Sequence, residues 1–332
     1  MKAILYDVHS YERAVFDRAN GARTHQLTYV SGPLDPTTAR LAEGHPAVIP
    51  SLSDVVDAPI LETLAKLGVR LIVLRSAGYN NLDLTASARL GIKAVYVPAY
   101  TPHSVAEHVF ALTLALLRHV PRAVARTRDA NFDVEGLVGT LLAGRTFGIV
   151  GLGKIGRVVA EIAKGFGCSV IAYDPQANPQ EAPCSLLPLD DLLRQSHVVS
   201  LHAPLTTETR HLIDAERLAR LASDAILINT SRGPLVDTTA LIDALKRGHL
   251  GGVGLDVYER EAGVFYADLS EQGLTDDVLA RLLSFPRVIV TSHVGYLTWE
   301  ALGEIAATTL ANLTEFEHGS KLTHELKPTR AG

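Results

Sequence analysis

The feature that most constrains this chain is a glycine motif, Gly151-Leu152-Gly153-Lys154-Ile155-Gly156, which fits the pattern G-x-G-x-x-G. It directly follows an apolar run at 147–150 that predicts a strand, and a helical pattern opens within it. The next predicted strand, 170–173, ends in Asp174, 18 residues after the last glycine of the motif. A strand, a glycine turn, a helix, a second strand and a carboxylate together are the arrangement that binds a dinucleotide.

The three glycines and the acidic residue are expected to act in different ways. Gly151 permits a tight turn, Gly153 lets the backbone approach a pyrophosphate, and Gly156 lets the helix pack closely on the strand. Asp174 can accept hydrogen bonds from the adenosine ribose and would repel a 2′-phosphate, which favours NAD over NADP. From the residues alone, a glycine-rich turn without a ligand and an ordinary strand-end turn at Asp174-Pro175 both remain open.

Length and composition limit the classes of protein to which the chain can belong. Its 332 residues are enough for about two domains. A content of 47% hydrophobic and 20% charged residues suits a chain that buries a large core. The net charge of −5 gives no general attraction to nucleic acid or to an anionic membrane. We therefore expect neither as a partner.

Cysteine usage and the terminal pattern predict a cytoplasmic protein. The two cysteines, Cys168 and Cys184, cannot form a disulfide framework for a chain of this size and fit a reducing compartment. Neither of two closely spaced histidine pairs has the spacing of zinc ligands, so no metal is expected. Asp7 interrupts the N-terminal segment too early for a signal peptide. The most apolar stretch, 109–117, is shorter than the roughly 20 residues that span a bilayer.

Apolar runs that predict strands alternate with helical patterns along most of the chain. The predicted strands are 3–6, 27–30, 47–49, 71–74, 94–97, 146–150, 170–173, 198–201, 225–228 and 288–290. The clearest predicted helices are 58–67, 84–90, 104–119, 121–131 and 298–317. This alternation is typical of parallel sheets covered by helices, so we expect two α/β domains.

Three polar segments follow predicted strands in the second half of the chain, where ligands bind in open α/β sheets. They are 229–233, 256–261 and 292–293. Arginine can hold a carboxylate through two hydrogen bonds, and a histidine beside a carboxylate can protonate a keto oxygen near neutral pH. From the residues alone, a surface ion pair for Arg232 and a structural role for His293 remain open. Chemistry does not choose Glu261 over Glu259 or Asp268.

Further segments along the chain carry a specific pattern. They are Arg75-Ser76-Ala77-Gly78-Tyr79-Asn80-Asn81-Leu82-Asp83, Val97-Pro98-Ala99-Tyr100, Val105-Ala106-Glu107-His108, 126–132, 165–167, 200–202, 229–233 and 297–298. In their order and spacing the chain resembles the D-2-hydroxyacid dehydrogenases over essentially its whole length, and among them most closely the fermentative bacterial D-lactate dehydrogenases. The long segment between Asp256 and His293, with Ala262 after Glu261, is similar to the lactate-type members. Phosphoglycerate- and glyoxylate-type members are usually shorter there and carry a proline.

The resemblance implies a role for each candidate residue. His293 is similar to the acid/base of the family, Glu261 to its carboxylate partner, and Arg232 to the cation that binds the substrate carboxylate. The other expected substrate contacts are the backbone N–H groups of Ala77 and Gly78, and the side chains of Tyr100 and Tyr296. The expected cofactor contacts are Gly151, Gly153, Lys154, Ile155, Gly156, Asp174, Ala203, Pro204, Thr209, Thr230, Ser231 and Asp256.

The family's architecture implies two doubly wound parallel-sheet domains. A Rossmann NAD-binding domain at 101–297 would be inserted in a flavodoxin-like substrate domain formed by 1–100 and 298–332. The implied activity is reversible hydride transfer from NADH to pyruvate, giving D-lactate, in a homodimer or homotetramer.

Two alternatives remain. Pro50-Ser51-Leu52 lies where several lactate-type relatives place an aromatic side chain, so a bulkier 2-keto acid, such as 2-ketobutyrate, 2-ketoisocaproate or phenylpyruvate, is one alternative substrate. A single methylene in such a pocket changes the selectivity by only about 1–3 kcal/mol. The other alternative is an NAD(H)-sensing, corepressor-like binding protein. The retained Arg232, Glu261 and His293 argue against it.

Overall fold

The computed structural model describes residues 1–22 and 24–328 and divides into two compact units. Unit 1 consists of Met1–Thr101 and the chain from Leu297 onward, and unit 2 is Pro102–Tyr296. Arg23 and residues 329–332, which the sequence analysis assigns to the substrate domain, lie outside the described residues. Each unit has its own sheet and its own buried apolar core.

The strands of both sheets are short and mostly buried. In chain order they are β1 (Lys2–Leu5), β2 (Gln26–Tyr29), β3 (Ala47–Ile49), β4 (Leu71–Val73), β5 (Lys93–Val95), β6 (Thr146–Val150), β7 (Ser169–Tyr173), β8 (Ser185–Leu186), β9 (Val198–Leu201), β10 (Ile226–Asn229), β11 (Gly252–Leu255), β12 (Val288–Val290) and β13 (Glu325–Leu326).

Helices connect most of these strands. In chain order they are α1 (Ser10–Ala19), α2 (Ala58–Lys66), α3 (Leu84–Arg89), α4 (Pro102–Leu117), α5 (Val120–Arg128), α6 (Lys154–Gly165), α7 (Leu189–Gln195), α8 (Ala215–Arg220), α9 (Thr238–Lys246), α10 (Asp277–Leu283) and α11 (Trp299–Glu317). Short 3₁₀ helices occupy Ala39–Ala42 and Gly233–Leu235.

The sheet of unit 1 has the order β13-β5-β4-β3-β1-β2. Strands β1 to β5 are parallel, and read from the β2 edge they follow the order 2-1-3-4-5 of flavodoxin-like folds. β3 and β4 are apolar and buried throughout, as expected of parallel strands with both faces covered. The exception in this mostly parallel sheet is β13, which was not predicted and pairs antiparallel with β5 at the edge. With two residues it is too short to leave a periodic pattern.

The sheet of unit 2 has the order β12-β11-β10-β9-β6-β7-β8 and is parallel throughout. Seven strands in the order 3-2-1-4-5-6-7 extend the Rossmann arrangement by one strand. The predicted fold class, two doubly wound sheets of which one is a Rossmann sheet, is confirmed. The strand order reverses between β6 and β9, which is where such sheets bind ligands at the carboxyl ends of their strands.

Helix α4 is an apolar helix that covers part of the unit 2 sheet. It packs on β10 and β11 and against α6. Gly254 in β11 allows this packing, because a Cβ there would lie 2.8 Å from Cδ1 of Ile228 and 3.1 Å from Cβ of Leu112 in α4. α4 has 16 residues. Within the ranges that the structure describes, no helix has both the length and the apolar character needed to cross a membrane.

Candidate active site

The carboxyl ends of three neighbouring strands bring the predicted polar segments together in unit 2. β10, β11 and β12 lie side by side and run parallel, so the segments that follow them leave the sheet at one edge. A Cβ on Gly233, beside Arg232, would overlap the carbonyl oxygen of Tyr258, which shows how closely the first two segments pack. The backbone N–H of His293 donates to the carbonyl oxygen of Asp256 at 2.7 Å. The three segments therefore form one cluster.

His293 and Glu261 face each other within this cluster. Nδ1 of His293 lies 3.3 Å from Oε2 of Glu261. Both atoms are shielded from solvent, and neither makes an aligned hydrogen bond to a described residue, so the contact is close but imperfectly oriented. The side chain of His293 is 13% exposed and that of Glu261 is 33% exposed. Because Nδ1 faces the carboxylate, Nε2 is the ring nitrogen that remains for a substrate.

The backbone of His293 adopts a left-handed conformation, with φ of +57°. Such a conformation costs a non-glycine residue about 1–2 kcal/mol, so its surroundings must hold it. The carboxylate of Asp256 holds the backbone that follows His293 by accepting two of its N–H groups. Its Oδ1 accepts the N–H of Val294 at 2.9 Å and its Oδ2 accepts the N–H of Gly295 at 2.8 Å.

Asp256 is 1% exposed, and protein donors surround its carboxylate. Besides the two backbone groups, Oγ1 of Thr291 donates to Oδ1 at 2.5 Å, and Nε2 of His108 lies 3.3 Å from the same oxygen. Burial by itself raises the pKa of Asp256, but hydrogen bonds from His108 and Thr291, the charge of His108 and the N–H of Gly295 together lower it to about 2. The structure places Asp256 under the loop that carries His293. Its predicted contact with the cofactor stays a prediction.

Two tyrosines flank the imidazole of His293. The ring of Tyr266 stacks on it with centroids 6.2 Å apart and an interplanar angle of 29°. The ring of Tyr296 meets it edge-on at 6.4 Å and 83°. The hydroxyl of Tyr266 also donates to the carbonyl oxygen of His293 at 3.1 Å. Tyr296 is among the predicted substrate contacts, whereas Tyr266 is not.

The hydrogen-bond partners separate Glu261 from the two neighbouring acids. Glu259 accepts a hydrogen bond of 2.7 Å from Nε2 of His211. Asp268 accepts hydrogen bonds from the backbone N–H and the hydroxyl of Ser270. Glu261 is the one of the three that the structure places against His293.

Arg232 lies at the start of the short 3₁₀ helix Gly233–Leu235 and is half-buried. Its Nη1 donates to the carbonyl oxygen of Ser231 at 2.7 Å, and its own carbonyl accepts from Nδ2 of Asn229 at 2.9 Å. Among the described residues, no carboxylate pairs with this guanidinium. The remaining N–H groups are therefore available to an anionic ligand.

The glycine motif forms the turn between β6 and α6. Gly151 has φ of +96°, and a Cβ there would lie 2.7 Å from the backbone nitrogen of Ala203. A Cβ on Gly156 would overlap the carbonyl oxygen of Gly151, so only glycine allows the helix to sit this close. Gly153 differs from both, because a Cβ on it would meet no atom within 4 Å. The space beside Gly153 is open.

The start of α6 and the end of β7 fit the groups of a dinucleotide. Gly153 begins the helix without a side-chain cap, so the N–H groups of Lys154 and Ile155 and the positive end of the helix dipole are left for an anion. Asp174, at the end of β7, accepts the N–H of Leu152 at 2.8 Å and is half-buried. Its carboxylate keeps further acceptor positions for ribose hydroxyls. The residues present therefore fit NAD.

The other residues predicted to bind the cofactor lie in the loops after β9 and β10. Oγ of Ser231 donates to the carbonyl oxygen of Ala203 at 2.8 Å, which joins the two loops. Oγ1 of Thr209 donates to the carbonyl oxygen of Pro204 at 2.6 Å. Oγ1 of Thr230 is buried and makes no hydrogen bond to a described residue. Their contact with the cofactor stays a prediction.

The substrate residues predicted in unit 1 lie after two of its strands. Ala77 and Gly78 are half-buried in the loop after β4, and Tyr100 is half-buried after β5. Near the start of the loop after β4 lies Arg75, a buried residue whose Nη1 is 3.1 Å from Oε1 of Glu12. Nη2 of Arg75 donates to two backbone carbonyls that follow β1. The base of this loop is thus firmly held.

Sequence reasoning missed three residues of the cluster in unit 2: His108, Thr291 and Tyr266. His108 was included in the segment Val105-Ala106-Glu107-His108 that carries the resemblance, but it was given no role in the site. Tyr266 lies in the long segment before His293, whose length and Ala262 carry the resemblance but give Tyr266 no role. Within the ranges described, no group of three or more His, Cys, Asp or Glu side chains is arranged to hold a metal ion.

Comparisons with known proteins agree with this geometry. Residues 110–295 match the family described as D-isomer specific 2-hydroxyacid dehydrogenase, NAD binding domain. The 2-hydroxyacid dehydrogenase A of Aspergillus oryzae is 47% identical over 320 residues, which are 95% of this chain and 92% of that protein. The D-lactate dehydrogenase of Escherichia coli K12 is 41% identical over 328 residues, which are 98% of this chain and 100% of that protein. The solved structure of the pyruvate reductase of Chlamydomonas reinhardtii has a TM-score of 0.92 at 40% identity and covers 97% of this chain and 98% of its own.

Proposed function

Because this chain belongs to the D-isomer specific 2-hydroxyacid dehydrogenases and its cofactor is NAD, we propose that it reduces pyruvate to D-lactate with NADH, reversibly. The observation that carries the proposal is the pairing of His293 with Glu261 in the cluster that also contains Arg232. Reduction of a 2-keto acid needs a proton donor and a cation for the carboxylate, and these side chains supply both. The names of the E. coli and Chlamydomonas relatives support pyruvate as the substrate.

His293 and Glu261 handle the proton in this proposal. Protonated His293 donates from Nε2 to the keto oxygen, while Glu261 at Nδ1 orients the ring and stabilises its positive charge. The bound cofactor would supply a hydride as NADH in reduction and accept one as NAD⁺ in oxidation. In the reverse direction neutral His293 accepts the hydroxyl proton, so lactate oxidation is expected to be favoured at higher pH.

Arg232 binds the substrate carboxylate in this proposal and polarises the keto group. Its planar guanidinium can donate two parallel hydrogen bonds, which fixes the orientation of a 2-keto acid. By resemblance we also propose that the N–H groups of Ala77 and Gly78 contact this carboxylate. Tyr100 and Tyr296 complete the proposed set of substrate contacts.

The test is a steady-state assay of the purified protein with NADH and a panel of 2-keto acids. We expect the highest kcat/KM on pyruvate, with D-lactate as the sole product by chiral chromatography. We also expect the rate of reduction to fall as His293 loses its proton at rising pH. A profile that stays flat from about pH 5 to 9, with chemistry limiting, would contradict the role of His293.

The same panel decides between the proposed substrate and the alternatives. Ser51 and Leu52, which follow β3 and are half-buried, favour a pocket that accepts larger side chains. A clear preference for phenylpyruvate or 2-ketoisocaproate would keep the mechanism and change the substrate. Bound NADH without turnover of any keto acid would favour the NAD(H)-sensing alternative.

We further propose that the protein is a homodimer or homotetramer in the cytoplasm. The support for self-association is a surface segment of unit 2, 131–141, in which Phe132, Val134, Val138 and Leu141 are each more than 70% exposed. Single exposed apolar side chains are ordinary, but a group of them marks an interaction surface. Both cysteines are free thiols, as is usual in a reducing compartment.

A further inference from the structure

One residue outside the proposed catalytic set, Tyr266, makes two different contacts with His293. Its hydroxyl donates to the carbonyl oxygen of His293 at 3.1 Å, and its ring stacks on the imidazole at 6.2 Å. We propose that Tyr266 is a positioning residue, which holds the strained backbone of His293 through its hydroxyl and favours the protonated imidazole through its ring. The proposal rests on the proposed function of His293 as the acid/base.

The backbone of His293 needs support at both of its ends. With φ of +57° it lies in the left-handed region, and strained residues persist only where their surroundings hold them. On the amino side, the N–H of His293 donates to the carbonyl oxygen of Asp256 at 2.7 Å. On the carbonyl side, the hydroxyl of Tyr266 is the donor. The same peptide group also donates the N–H of Val294 to Asp256, so removal of the Tyr266 hydroxyl leaves it held on the N–H side alone.

One turn of the chain carries both Glu261 and Tyr266. The N–H of Phe265 donates to the carbonyl oxygen of Glu261 at 2.9 Å, which closes the turn. Phe265 is buried and packs on the ring of Tyr258 at 6.4 Å, which anchors the turn in the core of unit 2. The same anchored turn thus presents a carboxylate to Nδ1 of His293 and a tyrosine to its ring face and backbone.

The charge of the imidazole depends on the groups that face it. Glu261 lies at Nδ1, the ring of Tyr266 lies nearly parallel to the imidazole with the centroids 6.2 Å apart, and Tyr296 meets it edge-on. Asp256 holds backbone N–H groups around His293. The face of an aromatic ring carries negative potential and attracts a cation. Loss of the ring of Tyr266 should therefore move the fall in activity to a lower pH, whereas loss of the hydroxyl alone should not.

Two variants separate the two contacts. Tyr266→Phe keeps the ring and removes one hydrogen bond, so kcat should fall roughly 3–10-fold with an unchanged pH midpoint. Tyr266→Leu removes both contacts, so kcat should fall further and the pH at which kcat/KM declines should drop. For both variants we expect KM for pyruvate within about twofold of wild type and unchanged NADH affinity by fluorescence titration, which also reports a folded protein.

Two further variants serve as controls. Tyr29→Phe removes a tyrosine hydroxyl that donates to Asp17 in unit 1 and should change none of these parameters. His293→Gln tests the proposed function itself, and wild-type kcat in this variant would overturn that function. If His293→Gln loses about 10²-fold or more in kcat while both Tyr266 variants keep the wild-type kcat and pH profile, the positioning role alone is overturned. A rise in KM without a change in kcat would also overturn it, since it would assign Tyr266 to substrate binding.

Discussion

Arg232 is a half-buried cation with no acidic partner among the described residues, and this sets what it can bind. Its planar fork matches a carboxylate, whereas a lysine at the same place offers a single point charge. We expect Arg232→Lys to raise KM for pyruvate about tenfold or more, with NADH affinity unchanged. Steady-state kinetics and fluorescence titration measure both quantities.

The matched control for this variant is Arg210→Lys. Arg210 is exposed and pairs with Glu259 at 3.4 Å, and exposed pairs contribute little. It should leave KM unchanged. Wild-type affinity for pyruvate in Arg232→Lys would refute the two-point clamp.

His202 makes the stability of the protein depend on pH. Burial lowers the pKa of His202 to about 4, and its Nε2 lies 2.8 Å from Oγ of Ser200. A histidine in the unfolded chain takes up a proton near pH 6.5, whereas folded His202 stays neutral down to about pH 4. Protonation therefore favours the unfolded chain, so the free energy of unfolding is unaffected by His202 above about pH 6.5 and decreases as the pH falls towards 4. One proton corresponds to at most about 1.4 kcal/mol per pH unit.

Thermal unfolding at pH 7, 6 and 5 tests this contribution. We expect the melting temperature of His202→Asn to fall less steeply with pH than that of the wild type. His45→Asn, at a half-buried position, is the control and should keep the wild-type slope. Equal slopes for all three proteins would show that His202 titrates normally in the folded state.

The role of a single residue could be predicted only where its type limits its chemistry. The chemistry of the residues gave the short list of Glu259, Glu261 and Asp268 but not the choice among them, because three carboxylates within ten residues have the same chemistry; only the family resemblance indicated Glu261. The choice depends on the partners of each, and the contact with His293 joins residues 32 positions apart in the chain. Tyr266 was not predicted for the same reason, because its two contacts with His293 join residues that are distant in the sequence.

At the level of elements, Gly153 and Gly156 lie in the turn between β6 and α6 and the start of α6, and a side chain would be unfavourable at each for a different reason. Gly153 faces open space with an ordinary φ of −69°, whereas a Cβ on Gly156 would overlap the carbonyl oxygen of Gly151. We expect Gly153→Ala to fold normally but to weaken NADH binding by roughly an order of magnitude, because the methyl group occupies the approach to the helix N-terminus. Gly156→Ala should lower the melting temperature, since overpacking costs about 1–3 kcal/mol.

Calorimetry and fluorescence titration distinguish these outcomes. Gly303→Ala in α11 is the control, because a Cβ there meets no atom within 4 Å, and it should keep the wild-type NADH affinity. Gly153→Ala with wild-type NADH affinity would show that the pyrophosphate does not approach this glycine.

The apolar pattern of each segment explains which strands and helices could be predicted from the sequence. β6, β9 and β12 have the predicted bounds because apolar residues predominate in each of them. β11 was not predicted, because two of its four residues are glycines. These glycines make room for helix α4, and the local sequence does not show that α4 packs there. α1 was also missed, because Val15 and Phe16 are its only buried residues and its surface is polar.

On the scale of the whole molecule, the ordered surface of unit 2 includes an apolar segment that its own core does not use. Arg126 donates from Nη1 to the carbonyl oxygens of Asp133 and Glu135 at 3.1 and 2.7 Å, so α5 fixes the backbone of this segment. Phe132 and Val138 nevertheless remain 76% and 88% exposed. An ordered backbone that presents apolar side chains to solvent is typical of an interface with a partner.

A second copy of the chain is the partner that we propose for this segment. We expect the wild type to show the mass of a dimer or tetramer by light scattering after size-exclusion chromatography, and the double variant Phe132→Asp with Val138→Asp to shift towards the monomer. Buried unpaired charges at an interface are strongly unfavourable, so the two aspartates should weaken the association of the copies. Val55→Asp, at an exposed valine of unit 1, is the control and should not change the mass. A monomeric wild type would refute self-association, and an unchanged mass in the double variant would refute this segment as its interface.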